Sequence, residues 1–138
     1  MLQPILALIL WTLVLSIWLY ATRIPAMRAA KINPDKYKLK GSAPFDILPE
    51  KARAVADNYN HLHEAPTIFY ALALLIQIGG YNDAITSGLA WVYVLLRVVH
   101  SLIQANAGKV MRRFLVFSSS QIVMMLLALY TAYKMLIV

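Results

Sequence analysis

Cysteine is absent from the chain, so neither a disulfide framework nor a protein thiolate can operate in it. Any thiol chemistry has to arrive with a ligand. Charge is scarce as well: 14% of the 138 residues are charged, against 61% hydrophobic. A soluble domain of this length has too small an interior to hide so much apolar side chain, and the composition reads as an integral membrane protein. Acids are the rarer sign, six against thirteen Lys and Arg. The resulting net charge of +7 does not imply nucleic acid, because the bases do not form one continuous patch. Eight lie between Arg23 and Arg53 and four between Arg97 and Arg113, each cluster separating two apolar runs. The positive-inside rule assigns such clusters to cytoplasmic loops.

No Lys or Arg precedes Arg23, and bulky residues stand where a leader would be cleaved. The first run, Pro4 to Ala21, therefore reads as a transmembrane helix with its N-terminus outside rather than as a secretory signal. Three further spans are expected at about 49–79, 84–104 and 113–137. The second is expected to start near Pro49 or Glu50, in the cytoplasm, and to kink near Pro66. "GGYNDA", Gly79 to Ala84, is a turn by composition. The expected architecture is all-α: one four-helix membrane domain over residues 1–138, termini outside, with basic loops 22–48 and 105–112 in the cytoplasm. There is no internal repeat, and four short spans offer little alternating-access machinery, which argues against a transporter.

Ionisable groups in a bilayer cost about 2.5–3.5 kcal/mol each on insertion scales, so the polar residues inside the spans call for partners. Around the second span, Ala52, Val55, Ala56, Tyr59 and Leu62 fall on one helical arc, while Arg53, Asp57, Asn60, His61 and Glu64 share the opposite one. On the third span Arg97, His100 and Gln104 recur at helical spacing. If the two polar stripes meet, Glu64 and Arg97 pair. His61 and His63 point to different sides of a helix, so no metal site is expected from them.

These residues also resemble the MAPEG family, membrane-associated proteins of eicosanoid and glutathione metabolism, and especially its bacterial branch. The resemblance covers nearly the whole chain: four spans, a long basic first loop with "NPD" at Asn33–Asp35, an Asn/Glu/Pro element entering the second span, "LRVVHSLIQ" on the third, and an arginine before the fourth. Glu64 matches the family's glutamate, and Arg97 with His100 matches the "RxxH" of its prostaglandin E synthase-like branch. Arg113, sixteen residues after Arg97, stands where an arginine is held to stabilise the glutathione thiolate. The resemblance implies a homotrimer in the bacterial inner membrane, in contact with lipid, taking glutathione and a lipophilic small molecule. Arg113 would be catalytic, with Arg53, Asn60, His61, Glu64, Arg97, His100 and Gln104 around the ligand. The sequence departs from the pattern at three places. His61 replaces the asparagine, Asp57 an arginine that grips a glutathione carboxylate, and Gln104 a frequent tyrosine. A thiol-dependent transferase or peroxidase and a non-enzymatic member, whose polar residues lock helices together or bind another amphiphile, both stay open.

Overall fold

Apolar side chains recurring every three to four residues, punctuated by proline and Gly-Asn-Asp turns, favour helices. A computed structural model describes residues 1–31, 48–64, 66–106 and 109–137, apart from the Glu64 side chain. Among those residues there are five helical segments and no strand: α1 (Leu2–Ala29), α2 (Glu50–Glu64), α3 (Thr67–Ile78), α4 (Ala84–Ala105) and α5 (Val110–Ile137). The "NPD" element of the first loop lies outside the described residues. Helices α1, α4 and α5 are each long and apolar enough to cross a membrane. Helix α3 has 12 residues, a rise of about 18 Å against the roughly 30 Å of a hydrocarbon core. A second crossing therefore needs the end of α2 as well.

The break between α2 and α3 follows from Pro66, which has no N–H to offer a carbonyl one turn back. Helix α2 stops at Glu64, and α3 restarts at Thr67 with Pro66 as its N-cap. Helix α1 behaves differently, running unbroken through Pro25 to Ala29, past the apolar run that ends at Ala21. Part of the stretch read as the first loop is thus helix, because Ala26, Met27, Arg28 and Ala29 are all strong helix formers.

Each helix buries one stripe. Helix α1 buries Pro4, Leu8, Leu15 and Leu19, and α3 buries Phe69, Ala73 and Ile76. The α5 stripe is Ser120, Met124, Leu127 and Thr131. Small residues on these stripes let helices approach closely, the usual packing solution where lipid competes equally for apolar contacts. The main core gathers Leu8, Phe69, Ala73, Ile76, Ala90, Tyr93 and Leu127, with the Phe69 and Tyr93 rings stacked 4.5 Å apart. A second cluster, Leu19, Val55 and Ala105, closes the basic end of the bundle. Large apolar residues such as Leu6, Leu13, Ile17, Leu95 and Leu129 stay exposed, as lipid contact requires.

The opposite end is clamped by polar groups. Gly80 supplies the turn with a φ of 74°, a conformation that glycine adopts without strain. Asp83 then caps α4 reciprocally: its carboxylate accepts from the Thr86 N–H at 2.8 Å, and its own N–H donates to the Thr86 hydroxyl at 2.9 Å. From α5, the Tyr130 hydroxyl and the Lys134 ammonium both donate to the Asp83 carboxylate, at 2.9 and 3.0 Å. This clamp fixes the register of α5 against α4, and so determines what its first turns meet at the basic end.

Candidate functional site

Helix α4 carries the polar centre of the molecule. Its buried stripe runs Thr86, Ala90, Tyr93, Val94, Arg97, His100, Ser101, Gln104 and Ala105, apolar and aromatic in the middle and polar towards the basic end. The second half of α2 and the first half of α5 cover that polar portion.

His100 is 2% exposed and engaged on both sides. Its Nδ1 lies 3.1 Å from the main-chain oxygen of Arg113 and its Nε2 3.0 Å from the Gln104 carboxamide. A carbonyl oxygen only accepts, so Nδ1 carries a proton and donates. Helix α5 brings Phe117 against this ring, 5.7 Å between centroids. The His61 ring, from α2, stacks on Phe117 at 5.3 Å and lies 5.6 Å from His100. A cavity of about 190 Å³ opens here, lined by His61, His100, Val110, Arg113, Phe114 and Phe117.

Arg97 sits one turn deeper. Its side chain is fully buried, with the guanidinium carbon 5.2 Å from the Phe117 ring centre and 5.7 Å from that of Tyr93. Both distances suit a cation over an aromatic face. None of its three guanidinium nitrogens has a hydrogen-bond partner among the described residues. The carboxylate expected to meet it, that of Glu64, lies outside them.

Asn58 supplies a contact that the sequence reading passed over. Fully buried, its amide donates to the Ser101 hydroxyl at 2.7 Å and to the Ser101 carbonyl at 3.2 Å. This pair joins α2 to α4 beside the cavity. The inward polar face of α2 is thus Asn58 and His61, one helical turn apart, and the arc of Ala52, Val55 and Leu62 is buried as its spacing indicates. Arg53, Asp57 and Asn60 point the other way and are exposed. His63 is also exposed and donates Nδ1–H to the Tyr59 carbonyl at 2.9 Å.

Of the expected site residues, then, the fold gathers His61, Arg97, His100, Gln104 and Arg113, and leaves Arg53 and Asn60 on the outer face of α2. The aromatic wall of Phe114 and Phe117 was missed. Its signal was available in the helical spacing of Val110, Phe114 and Phe117 around Arg113. Among the described residues no three His, Cys, Asp or Glu side chains converge as a metal site would require.

Comparison with known proteins agrees with this architecture. The family model of MAPEG matches residues 1–133. No curated protein and no solved structure matches the chain.

Proposed function

The chain belongs to the MAPEG family of membrane proteins, and from that premise we propose that it binds glutathione at the Arg113 cavity and transfers the thiol to a lipophilic electrophile. The observation that carries this reading is the cavity itself: a half-buried arginine beside two imidazoles and two phenylalanines, in a chain with no thiol of its own. When bound, glutathione supplies a sulfur nucleophile that forms a C–S bond as the acceptor's π bond or C–O bond gives up its electron pair, the thiol proton ending on the product; in peroxide reduction, two thiols give up two protons and two electrons and become a disulfide, and the peroxide becomes an alcohol and water.

The protein's part is electrostatic. A free thiol has a pKa of about 8.5 and is mostly protonated at neutral pH, and an adjacent guanidinium favours the anion. Arg113 holds that position, while His61 and His100 offer hydrogen-bonding edges and Phe114 and Phe117 an apolar wall for the acceptor. The basic character of this end draws an anionic ligand towards it. At about 190 Å³ the cavity is smaller than the roughly 300–1,000 Å³ of a typical ligand pocket. It takes the reactive end of a ligand and leaves the rest on the rim.

The exposed Arg53, Asp57 and Asn60 of α2 favour water or a neighbouring subunit over lipid. This supports an assembly of several copies, which we read as a homotrimer in the bacterial inner membrane with the basic loops cytoplasmic. Titration calorimetry of the detergent-solubilised chain with glutathione tests the reading. We expect binding in the micromolar-to-millimolar range, lost in Arg113→Ala. Absence of heat up to several millimolar would overturn it in favour of a second reading, a non-enzymatic protein whose polar residues lock helices or hold another amphiphile. The buried Asn58–Ser101 contact favours that alternative.

A further inference from the structure

Gln104 is an uncharged amide, 7% exposed, on the buried stripe that it shares with Arg97, His100 and Ser101. Its carboxamide lies 3.0 Å from His100 Nε2, and no other side chain among the described residues bonds that nitrogen. The opposite nitrogen, Nδ1, donates to the Arg113 carbonyl in the first turn of α5. Gln104, His100 and Arg113 therefore form one chain of hydrogen bonds running from α4 across to the residue that lines the cavity.

The chemistry of an amide explains why this residue suits the place. With Nδ1 protonated, a neutral His100 offers a lone pair at Nε2, and an imidazolium offers an N–H instead. The nitrogen and oxygen ends of a carboxamide exchange by a half-turn, so Gln104 donates to the first and accepts from the second. Under either protonation state the ring keeps both anchors, and Nδ1 keeps its proton. Leucine at 104 would leave Nε2 buried without a partner. The Arg113 carbonyl still requires Nδ1–H, but a ring held at one nitrogen is free to turn away from it.

We propose that Gln104 is a positioning residue: by anchoring Nε2 in either protonation state it holds the His100 ring so that Nδ1–H ties the first turn of α5 to α4 and keeps Arg113 at the cavity. The functional consequence rests on the reading of Arg113 given above, but the structural link does not. Arg113 is presented from a helix start whose other polar attachments on the described residues are few, so the imidazole tie has no evident substitute.

The test uses the full chain, labelled with ¹⁵N-histidine, in lipid nanodiscs without ligand. In the unmodified protein His100 shows a protonated Nδ1. In Gln104→Leu the Nδ1–H signal broadens as the ring moves off the Arg113 carbonyl, and amide hydrogen exchange over residues 114–117 quickens by about fivefold, as the loss of one modest hydrogen bond predicts. Gln104→Glu, whose carboxylate accepts from Nε2–H while Nδ1–H stays on the Arg113 carbonyl, makes the ring an imidazolium with both nitrogens protonated and returns exchange to the original rate. An unchanged Nδ1–H signal and unchanged exchange in Gln104→Leu would overturn the proposal, as would a Gln104→Glu variant perturbed as strongly as leucine. If the leucine variant fails to fold, Gln104→Met, unbranched like glutamine and close to it in length, replaces it with the same two readouts. A second arm adds glutathione and S-methylglutathione. Gln104→Leu is expected to lower the thiolate fraction of bound glutathione while S-methylglutathione, which has no proton to lose, binds within twofold of the original affinity. An unmoved thiolate fraction would count against the positioning role. Failure of glutathione to bind the unmodified protein would sink the glutathione reading and leave the structural result standing.

Discussion

Replacing Asn58 by leucine tests whether α2 is fastened to α4 by the polar contact beside the cavity. Leucine keeps the number and branching of the side-chain heavy atoms, so the change removes hydrogen bonds without opening a cavity. Two donated bonds disappear, at 2.7 and 3.2 Å. In soluble proteins each is worth about 1 kcal/mol. In membranes an interhelical polar contact averages nearer 0.6 kcal/mol and reaches about 1.7, because the unfolded chain also finds partners. Some of the loss is recovered. The Asn58 carbonyl oxygen has no hydrogen-bond partner among the described residues, and the freed Ser101 hydroxyl can bond back to its own helix. The expected destabilisation is therefore about 1 kcal/mol, a fall in melting temperature of about 3 °C. Thermal unfolding in detergent measures it. Crossing Asn58→Leu with Ser101→Ala should give a coupling of about 0.5–1 kcal/mol, the lower part of the range because the bond to the Ser101 carbonyl survives the serine substitution. A more stable Asn58→Leu protein, or effects that add within about 0.3 kcal/mol, would refute the argument.

Glu64→Gln and Arg97→Gln, alone and together, test the pairing expected between these residues. Each should lower the melting temperature and the two should couple by more than about 1 kcal/mol, whereas additive effects would count against a direct pair. At the other end of the bundle, acid should loosen the α4–α5 clamp. The Asp83 carboxyl is held well below the usual carboxylate range, first by the Thr86 N–H and then by the bonds from Lys134, Tyr130 and the Thr86 hydroxyl, against a smaller opposing effect of burial. Its folded pKa is the lower one, so its stabilisation is complete above the unfolded value of about 3.9 and is lost as pH falls below it. The melting-temperature gap between the unmodified protein and Asp83→Asn should narrow from pH 6 to pH 3, and a constant gap would contradict the assignment.

Much of the fold was legible because lipid imposes a strict rule: backbone groups must be satisfied within each crossing, so apolar length translates almost directly into helix. Pro66 marked the interruption of the second crossing for a local covalent reason. The end of α1 was harder to read, since Thr22 to Ala29 is polar enough for a loop yet made largely of good helix formers, and pattern alone does not arbitrate between them. Within the site, the Arg97, His100 and Gln104 face was readable from spacing, because three polar residues on one side of an apolar helix have few places to go. On α2 the same method divided the polar residues less well. Asn58 and His61 turn inward while Asp57 and Asn60 face out, and which of two adjacent polar arcs is buried depends on the crossing of α2 over α4. That geometry is a tertiary fact, set by close contacts such as Ser101 with Asn58, and periodicity within one helix does not contain it. The Phe117 contact with Arg97 was invisible for a similar reason: it depends on the register of α5, which the Asp83 clamp sets from the far end.

In the function proposed above, Arg113 holds a thiolate in the cavity. Thiolates absorb in the middle ultraviolet, on the short-wavelength side of the aromatic band, where thiols absorb far less. The difference spectrum on mixing the unmodified protein with glutathione at neutral pH therefore reads the anion directly. A thiolate band should appear, saturate with binding and disappear in Arg113→Ala. Binding without such a band, or a band that survives in Arg113→Ala, would contradict it.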